Sequence, residues 1–219
     1  MMPALKGSGK PLLIKPGLVD FITNWPDFQR DKPIQLHITM PGLGDLSTQR
    51  SGKVIRVASV NINTVVHITD RNNANEVQLG ELLLVRVRDT GGNTVPPLFQ
   101  NIFDISGKPM GTENPSEDGN PLVGCFIGLT NLDKYQVVRR QPFTLTPNMQ
   151  YAEGVNRIAM NTYVKFKGRK ALYPTFRPGA EEGAFSDMVK NALMLYIVMN
   201  GKKGVACEAT IRFRVKFYH

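Results

Sequence analysis

The most regular feature of the chain is an alternation of apolar and polar residues near its carboxyl end. Between residues 211 and 217 every second residue is apolar, and the three positions between them are cationic: Arg212, Arg214 and Lys216. A period of two is typical of a half-buried β-strand. One face of this strand should pack on the core. The opposite face then carries a row of three cations spaced by about 6.6 Å.

Similar patterns recur along the chain between clusters of turn residues. β-branched and apolar residues predict further strands over 34–40, 53–70, 81–88, 122–129, 135–145, 157–167 and 191–199. Apolar residues at helical offsets predict one short helix over 98–103. Eight strands with little helix predict an all-β, eight-stranded fold, either a sandwich or a jelly roll, rather than alternating βαβ units.

The segments outside these strands are predicted to be an arm and loops. Residues 1–32 contain four prolines and little periodicity, so we expect an amino-terminal arm, with the sandwich domain over 33–219. Residues 105–121 are acidic and glycine-containing, which indicates a long exposed loop. A second loop is expected over 168–187.

Composition favours a globular protein with a polyanionic partner. The chain has 219 residues, 42% of them hydrophobic, which suits a single domain with its own core. Residues 1–133 hold 12 basic and 13 acidic side chains, whereas residues 134–219 hold 15 basic and 5 acidic ones. Basic side chains that neutralise phosphates release condensed counterions. Nucleic acid is therefore the expected partner, ahead of an anionic membrane surface.

The residues give little support to an enzyme, a metal site or a cofactor site. Three histidines and two cysteines are scattered without metal-ligand spacing. The Gly7–Lys10 fragment lacks the full phosphate-loop pattern. The apolar run 191–199 is shorter than the ~20 residues that cross a membrane. No signal-peptide pattern is present in residues 1–32, so we expect an intracellular product.

A second concentration of cations follows the predicted strand 157–167. It combines Lys165, Lys167, Arg169 and Lys170 with aromatic neighbours, and Arg139 and Arg140 add to it. Cations follow a phosphate backbone while aromatic rings accept unstacked bases, which suits single strands without sequence preference. Two plainer interpretations stay open. Residues 167–170 could be a charged hairpin tip, and the row on the last strand could be a solvated outer face.

Several of these segments also resemble a known family. NALMLY at 191–196 followed by ATIRFRVKFY at 209–218 resembles the last strands of the coat proteins of geminiviruses and related small circular single-stranded DNA viruses. LVRVRD, FQNIFD, YQVVRR and NRIAMNTYV, at 84–89, 99–104, 135–140 and 156–164, follow in the order that the family uses. The resemblance covers residues 53–219. It implies a jelly-roll coat subunit that assembles into an icosahedral shell, single or twinned T=1, around circular single-stranded DNA.

The resemblance also implies localisation in the virion, and in the host nucleus during assembly, with host nuclear import factors as further partners. Geminivirus coat proteins usually begin with an arginine-rich arm, whereas residues 1–32 carry few cations. Either the basic arm has been lost, or further basic residues precede Met1 in the natural protein. In the first case DNA contact moves to the body of the domain.

We therefore expect the shell interior to be lined by nine cations: Arg139, Arg140, Lys165, Lys167, Arg169, Lys170, Arg212, Arg214 and Lys216. One alternative is a viral single-stranded nucleic-acid-binding protein of the movement or silencing-suppressor type, which does not assemble. A jelly-roll enzyme or carbohydrate-binding domain would leave the charge asymmetry unexplained.

Overall fold

The computed structural model describes residues 16–29, 32–69, 77–105, 123–146, 157–200 and 205–219. Nine strands lie within these ranges: β1 Pro16–Phe28, β2 Ile34–His37, β3 Arg56–Ile68, β4 Gln78–Asp89, β5 Tyr135–Leu145, β6 Arg157–Lys165, β7 Thr175–Phe176, β8 Met188–Asn200 and β9 Cys207–Tyr218. One short helix, α1, spans Phe99–Ile102. The rest of the described chain is made of turns, loops and three single-turn 3-10 helices.

The strands form two antiparallel sheets. The first sheet has the order β1-β9-β3-β6, and the second sheet has the order β2-β8-β4-β5, with β7 paired to β8. The first strand pairs with the last one, and each later pair joins strands that are closer together in the sequence: β1–β9, β2–β8, β3–β6 and β4–β5. A long hairpin rolled into two layers in this way is the eight-stranded jelly roll. The all-β jelly-roll prediction is confirmed.

The core lies between the sheets, and β9 shows how the sequence defines it. Its residues alternate strictly between buried and exposed positions, with the apolar side chains buried. At the edge of the second sheet, the Phe143 ring of β5 packs directly over Gly80 of β4. A Cβ on Gly80 would lie 2.1 Å from the Phe143 ring, so only glycine leaves that ring its place against β4.

The second sheet is buried on both faces in its centre. Residues 192–199 of β8 are all buried, because the connection that contains α1 covers the outer face of this sheet. The Tyr196 hydroxyl donates to the Pro97 carbonyl at 2.6 Å, and the Phe99 and Phe103 rings pack against Tyr196. The uninterrupted apolar run in the sequence follows from this double coverage.

Two predicted elements differ from the structure. Residues 16–28 of the expected arm form β1, which pairs with β9 along almost its whole length, and residues 1–15 lie outside the described residues. The prolines at 16 and 26 are compatible with β1 because it is an edge strand. The strand predicted over 122–129 is wrong for residues 123–129. They form a turn at Gly124, whose φ is +84°, a single bridge at Ile127 and the start of a 3-10 helix.

Both predicted loops are only partly comparable with the structure. Most of the loop expected over 105–121 lies outside the described residues. The segment 168–187 is less loop-like than expected, because it contains β7 and the 3-10 helices Gly168–Lys170 and Phe185–Asp187.

Candidate nucleic-acid interface

The outer face of the first sheet carries the predicted row of cations. Arg212, Arg214 and Lys216 are all exposed on β9, opposite the side that packs on the core. Arg214 is not a free cation, since its Nε and Nη2 donate to the two carboxylate oxygens of Asp20 on β1, both at 2.7 Å. These hydrogen bonds lower the pKa of Asp20. The row therefore consists of one exposed ion pair flanked by two cations.

The pairing of β9, β3 and β6 extends this face sideways. Lys216 is opposite Ser59, and Ser59 is opposite Lys165. With neighbouring strands about 4.8 Å apart, Lys165 lies about 10 Å from Lys216 on the same face. Tyr163 stands one position further along β6 on that face and is 59% exposed. The face thus combines regularly spaced cations with an accessible aromatic ring.

The end of the face near the start of β9 contains an acidic residue, Glu208, beside its basic ones. His67 on β3 and Glu208 on β9 approach to 3.2 Å between Nε2 and Oε2, with Arg157 next to them on β6. Between the two ends, Asn63 on β3 lies opposite the neutral Asn161 on β6 and opposite Arg212 on β9. The basic character is therefore concentrated toward the carboxyl-terminal half of β9.

A cleft of about 310 Å³ lies where the edge strands β5 and β6 meet. The two strands are joined beside it by the Thr162 hydroxyl, which donates to Gln141 Oε1. Five cations line the cleft: Arg86, Arg139, Lys165, Arg169 and Lys170. The lining also contains Tyr163 and Phe166 but no carboxylate among the described residues. This makes the cleft an electropositive site with an aromatic wall.

The turn after β6 brings two of these cations to the cleft. Gly168 has φ +56°, a left-handed conformation that glycine adopts without steric cost. The 3-10 turn that it opens places Arg169 and Lys170 beside the strand ends, whereas Lys167 is exposed next to the cleft without lining it. Residues 167–170 are thus a charged turn that faces a concave surface.

Arg86 is a member of this site that sequence analysis did not select. Its Nε donates to Asn191 Oδ1 at 2.8 Å, and Asn191 Nδ2 donates to the Tyr173 carbonyl at 2.7 Å. Burial lowers the pKa of Arg86, and the neighbouring charge of Arg88 lowers it further. The only signal in the sequence was the pair Arg86 and Arg88 on one face of a strand, which does not reveal the cleft.

The structure separates Arg140 from the other candidates. Successive residues of a strand point to opposite faces, so Arg139 lines the cleft while Arg140 lies on the outer face of the second sheet. Arg140 Nη1 binds Glu81 at 3.1 Å, and its Nη2 donates to the Cys125 carbonyl. Glu81 is 5% exposed and also accepts from the Gly124 amide. Arg140 therefore balances a buried carboxylate, and its assignment to the interface is corrected.

Other chemistry in the described residues is limited. They contain no group of three or more His, Cys, Asp or Glu side chains that could hold a metal ion. The helices described are all too short to span a membrane. Burial raises the pKa of the Cys125 thiol to about 11, so it is protonated and unreactive near neutral pH.

Comparisons with known proteins identify the family. Residues 24–219 match the model of the geminivirus coat protein/nuclear export factor BR1 family. No curated protein matches the chain. A solved structure titled Desmodium yellow mottle tymovirus is similar at a TM-score of 0.37 and 10% identity, covering 99% of this chain and 94% of that chain.

The family match supports a structural role. A coat-protein family is not a family of enzymes, and membership implies self-assembly into a shell and localisation in the virion. The match spans all nine strands except the first part of β1, so it includes both sheets and the residues of the cleft. The chain belongs to the geminivirus coat protein/nuclear export factor BR1 family.

Proposed function

We propose that the protein is a capsid subunit that assembles into an icosahedral shell, single or twinned T=1, and packages circular single-stranded DNA. The observation that carries the DNA part is the exposed cationic face of the first sheet, formed by Arg212, Lys216 and Lys165 around the Arg214–Asp20 pair. In this proposal the face lines the shell interior.

The spacing of the cations suits an extended nucleic-acid strand. Side chains two residues apart on β9 are about 6.6 Å apart, which is close to the distance between phosphates of a stretched backbone. Contacts of this kind hold the backbone without reading bases. Tyr163 adds a ring on which an unstacked base can lie. The face therefore favours binding without strong sequence preference.

Enclosing DNA in a closed volume also requires neutralisation of its charge. Inward cations on every subunit would supply it, and release of counterions would drive the association. Assembly in the host nucleus, with host nuclear import factors delivering the subunit, completes the proposal.

The test compares wild-type particles with the variant Arg212→Gln/Arg214→Gln/Lys216→Gln. A matched control, Lys53→Gln/Arg88→Gln/Lys190→Gln, removes the same charge from exposed positions outside the candidate interface. Size-exclusion chromatography and negative-stain microscopy report assembly, and the ratio of absorbance at 260 and 280 nm reports DNA content. We expect closed particles from all three proteins and less DNA in the first variant only.

The same variant should change the salt dependence of binding to an oligothymidylate. Loss of the two phosphate contacts made by Arg212 and Lys216 should reduce the slope of log K against log salt by about 1.4, since Arg214 is already paired with Asp20. An unchanged DNA content and an unchanged slope would refute the assignment of the face.

A second candidate function is that of a nucleic-acid-binding protein that does not form shells. The family description favours it in part, because it names a nuclear export factor beside the coat protein. The cationic face would serve either role. Purified protein that stays monomeric or dimeric with bound oligothymidylate would support this second function, whereas closed particles would exclude it.

A further inference from the structure

The cleft between β5 and β6 contains a cation whose charge is not balanced within the described residues. Arg86 is half-buried, and its one hydrogen bond among the described contacts joins its Nε to the neutral Asn191 side chain at 2.8 Å. Transfer of a charge away from water is costly unless an opposite charge or further hydrogen bonds compensate. Arg140 meets this condition with the buried carboxylate of Glu81. The described surroundings of Arg86 offer no such carboxylate.

The surroundings of Arg86 increase this imbalance. Arg139 from β5 and Lys165, Arg169 and Lys170 from the end of β6 converge on the same cleft. Five cations without a carboxylate in the lining repel one another in the free protein. An anion in the cleft would relieve that repulsion and would receive charge-assisted hydrogen bonds from several donors.

The orientation of Arg86 is prepared for such a ligand. Asn191 holds the Nε side of the guanidinium and is itself held by its bond to the Tyr173 carbonyl at 2.7 Å. Asn191 has φ +63°, a conformation that asparagine tolerates better than most residues. The guanidinium is thereby fixed before binding, so less conformational entropy is lost when it meets a phosphate.

The size and walls of the cleft indicate what accompanies the phosphate. A volume of about 310 Å³ is at the lower end of small-molecule sites and exceeds what a phosphate alone requires. Tyr163 is 59% exposed at the rim and also belongs to the outer face of the first sheet. Its ring offers a surface for one base.

We propose that this cleft binds one nucleotide of a single strand, with the phosphate on Arg86, Arg139 and Arg169 and the base against Tyr163. In this arrangement the DNA strand runs along β9, and one of its nucleotides leaves that path and lies in the cleft. The ligand's identity as a unit of packaged DNA rests on the proposed function. A free nucleotide presents the same chemistry, so the experiment separates the two sources.

The experiment uses the full chain and three probes: thymidine 5′-monophosphate, inorganic phosphate and thymidine. Thermal unfolding and isothermal titration calorimetry measure binding, because a ligand that binds the folded state raises the Tm. We expect thymidine 5′-monophosphate to bind more tightly than phosphate, and thymidine to bind least.

Four variants locate the site. Arg86→Gln and the exposed Arg169→Gln should each weaken binding of thymidine 5′-monophosphate about 10-fold or more, as expected for a lost charge-assisted hydrogen bond. Tyr163→Ala should reduce it to the level of inorganic phosphate. Arg88→Gln removes the same charge two residues from Arg86 without touching the cleft lining, and should change binding less than about 2-fold. The exposed Arg169 keeps the test valid if Arg86→Gln fails to fold.

The outcomes separate this inference from the proposed function. In one outcome, Arg212→Gln/Arg214→Gln/Lys216→Gln weakens oligothymidylate binding, Arg86→Gln and Arg169→Gln do not, and the mononucleotide does not shift the Tm. This outcome refutes nucleotide binding in the cleft and leaves the proposed function intact. Mononucleotide binding without any oligothymidylate binding supports the cleft as a nucleotide site and refutes the DNA role. Loss of assembly in Arg169→Gln with unchanged mononucleotide binding would assign the cleft to an acidic segment of a neighbouring subunit, which overturns the inference.

Discussion

Acidification should destabilise the fold through His37 on β2. Its imidazole packs edge-on against the Phe185 ring at 5.5 Å between centroids, and its Nε2 is buried without a hydrogen-bond partner in the described structure. Burial lowers the pKa of His37 to about 4, although the negative charge of Asp187 acts in the opposite direction. Hydrogen bonds from the backbone amides of Glu182 and Gly183 to the Asp187 carboxylate fix the position of this side chain.

The sign and size follow from proton linkage. In the unfolded chain His37 takes up a proton near its ordinary pKa of 6.5, whereas the folded protein resists protonation until about pH 4. The stability contribution is therefore complete above pH 6.5 and is lost as the pH falls toward 4. At 1.36 kcal/mol for each unit of pKa, the loss amounts to about 3 kcal/mol. This is a large fraction of the stability of an ordinary domain.

The assay is urea unfolding of the wild type and His37→Phe between pH 4.5 and 8, followed by the fluorescence of Trp25, the chain's one tryptophan. Phenylalanine keeps a planar ring against Phe185 and cannot titrate. The difference in free energy of unfolding between the two proteins should grow as the pH falls below 6.5, with a slope approaching 1.4 kcal/mol per pH unit. All other titratable groups are the same in both proteins, so their contributions cancel in the difference. A difference that stays constant with pH would refute the reasoning.

Two further predictions concern the buried ion pair and the edge of the second sheet. Arg140→Gln should destabilise the fold by about 3–5 kcal/mol, since it leaves Glu81 buried without its charge partner; Glu81→Gln/Arg140→Gln should restore much of this loss, and Arg139→Gln should change the free energy of unfolding by less than about 0.5 kcal/mol. Urea unfolding measures all three, and equal effects of Arg139→Gln and Arg140→Gln would contradict the placement of Arg140. Gly80→Val should cost about 1–3 kcal/mol because its Cβ would enter the Phe143 ring. Gly52→Ala, where a Cβ meets nothing within 4 Å, is the control, and a near-zero effect at Gly80 would show that the ring moves freely.

The sequence pattern predicted a strand correctly where each of its faces was either wholly buried or wholly exposed. β9 alternates because one face meets the core and the other is exposed, and residues 192–199 are uniformly apolar because both faces are covered. β1 was missed because its exposed face carries Leu18 and Ile22, which obscures the period of two. The apolar residues of 122–129 were misread because Ile127 pairs with Phe103 in the layer over the second sheet, and not within a strand.

The candidate site was predictable only in its local part. The row of cations on β9 depends on alternation alone, so its shared face followed from the sequence. Arg86 depends on Asn191, which is distant in sequence, and on the approach of β5 to β6. Arg139 and Arg140 could have been separated by their parity on one strand, but the identity of the buried partner Glu81 requires the register of β4 against β5.

The cationic face and the cleft require different arrangements of their residues, so they are formed by different kinds of element. The cationic face needs only regular spacing, and a strand supplies it while its alternate residues, such as Ile211 and Phe213, remain buried in the core. Substitution of the outward residues therefore leaves the packing unchanged, so charge and fold can vary separately. The cleft instead needs convergence, so it uses strand ends and a turn from both sheets and includes a half-buried arginine. Lys165 lies on the cationic face and also lines the cleft. A DNA strand bound along β9 would therefore enter the cleft at Lys165.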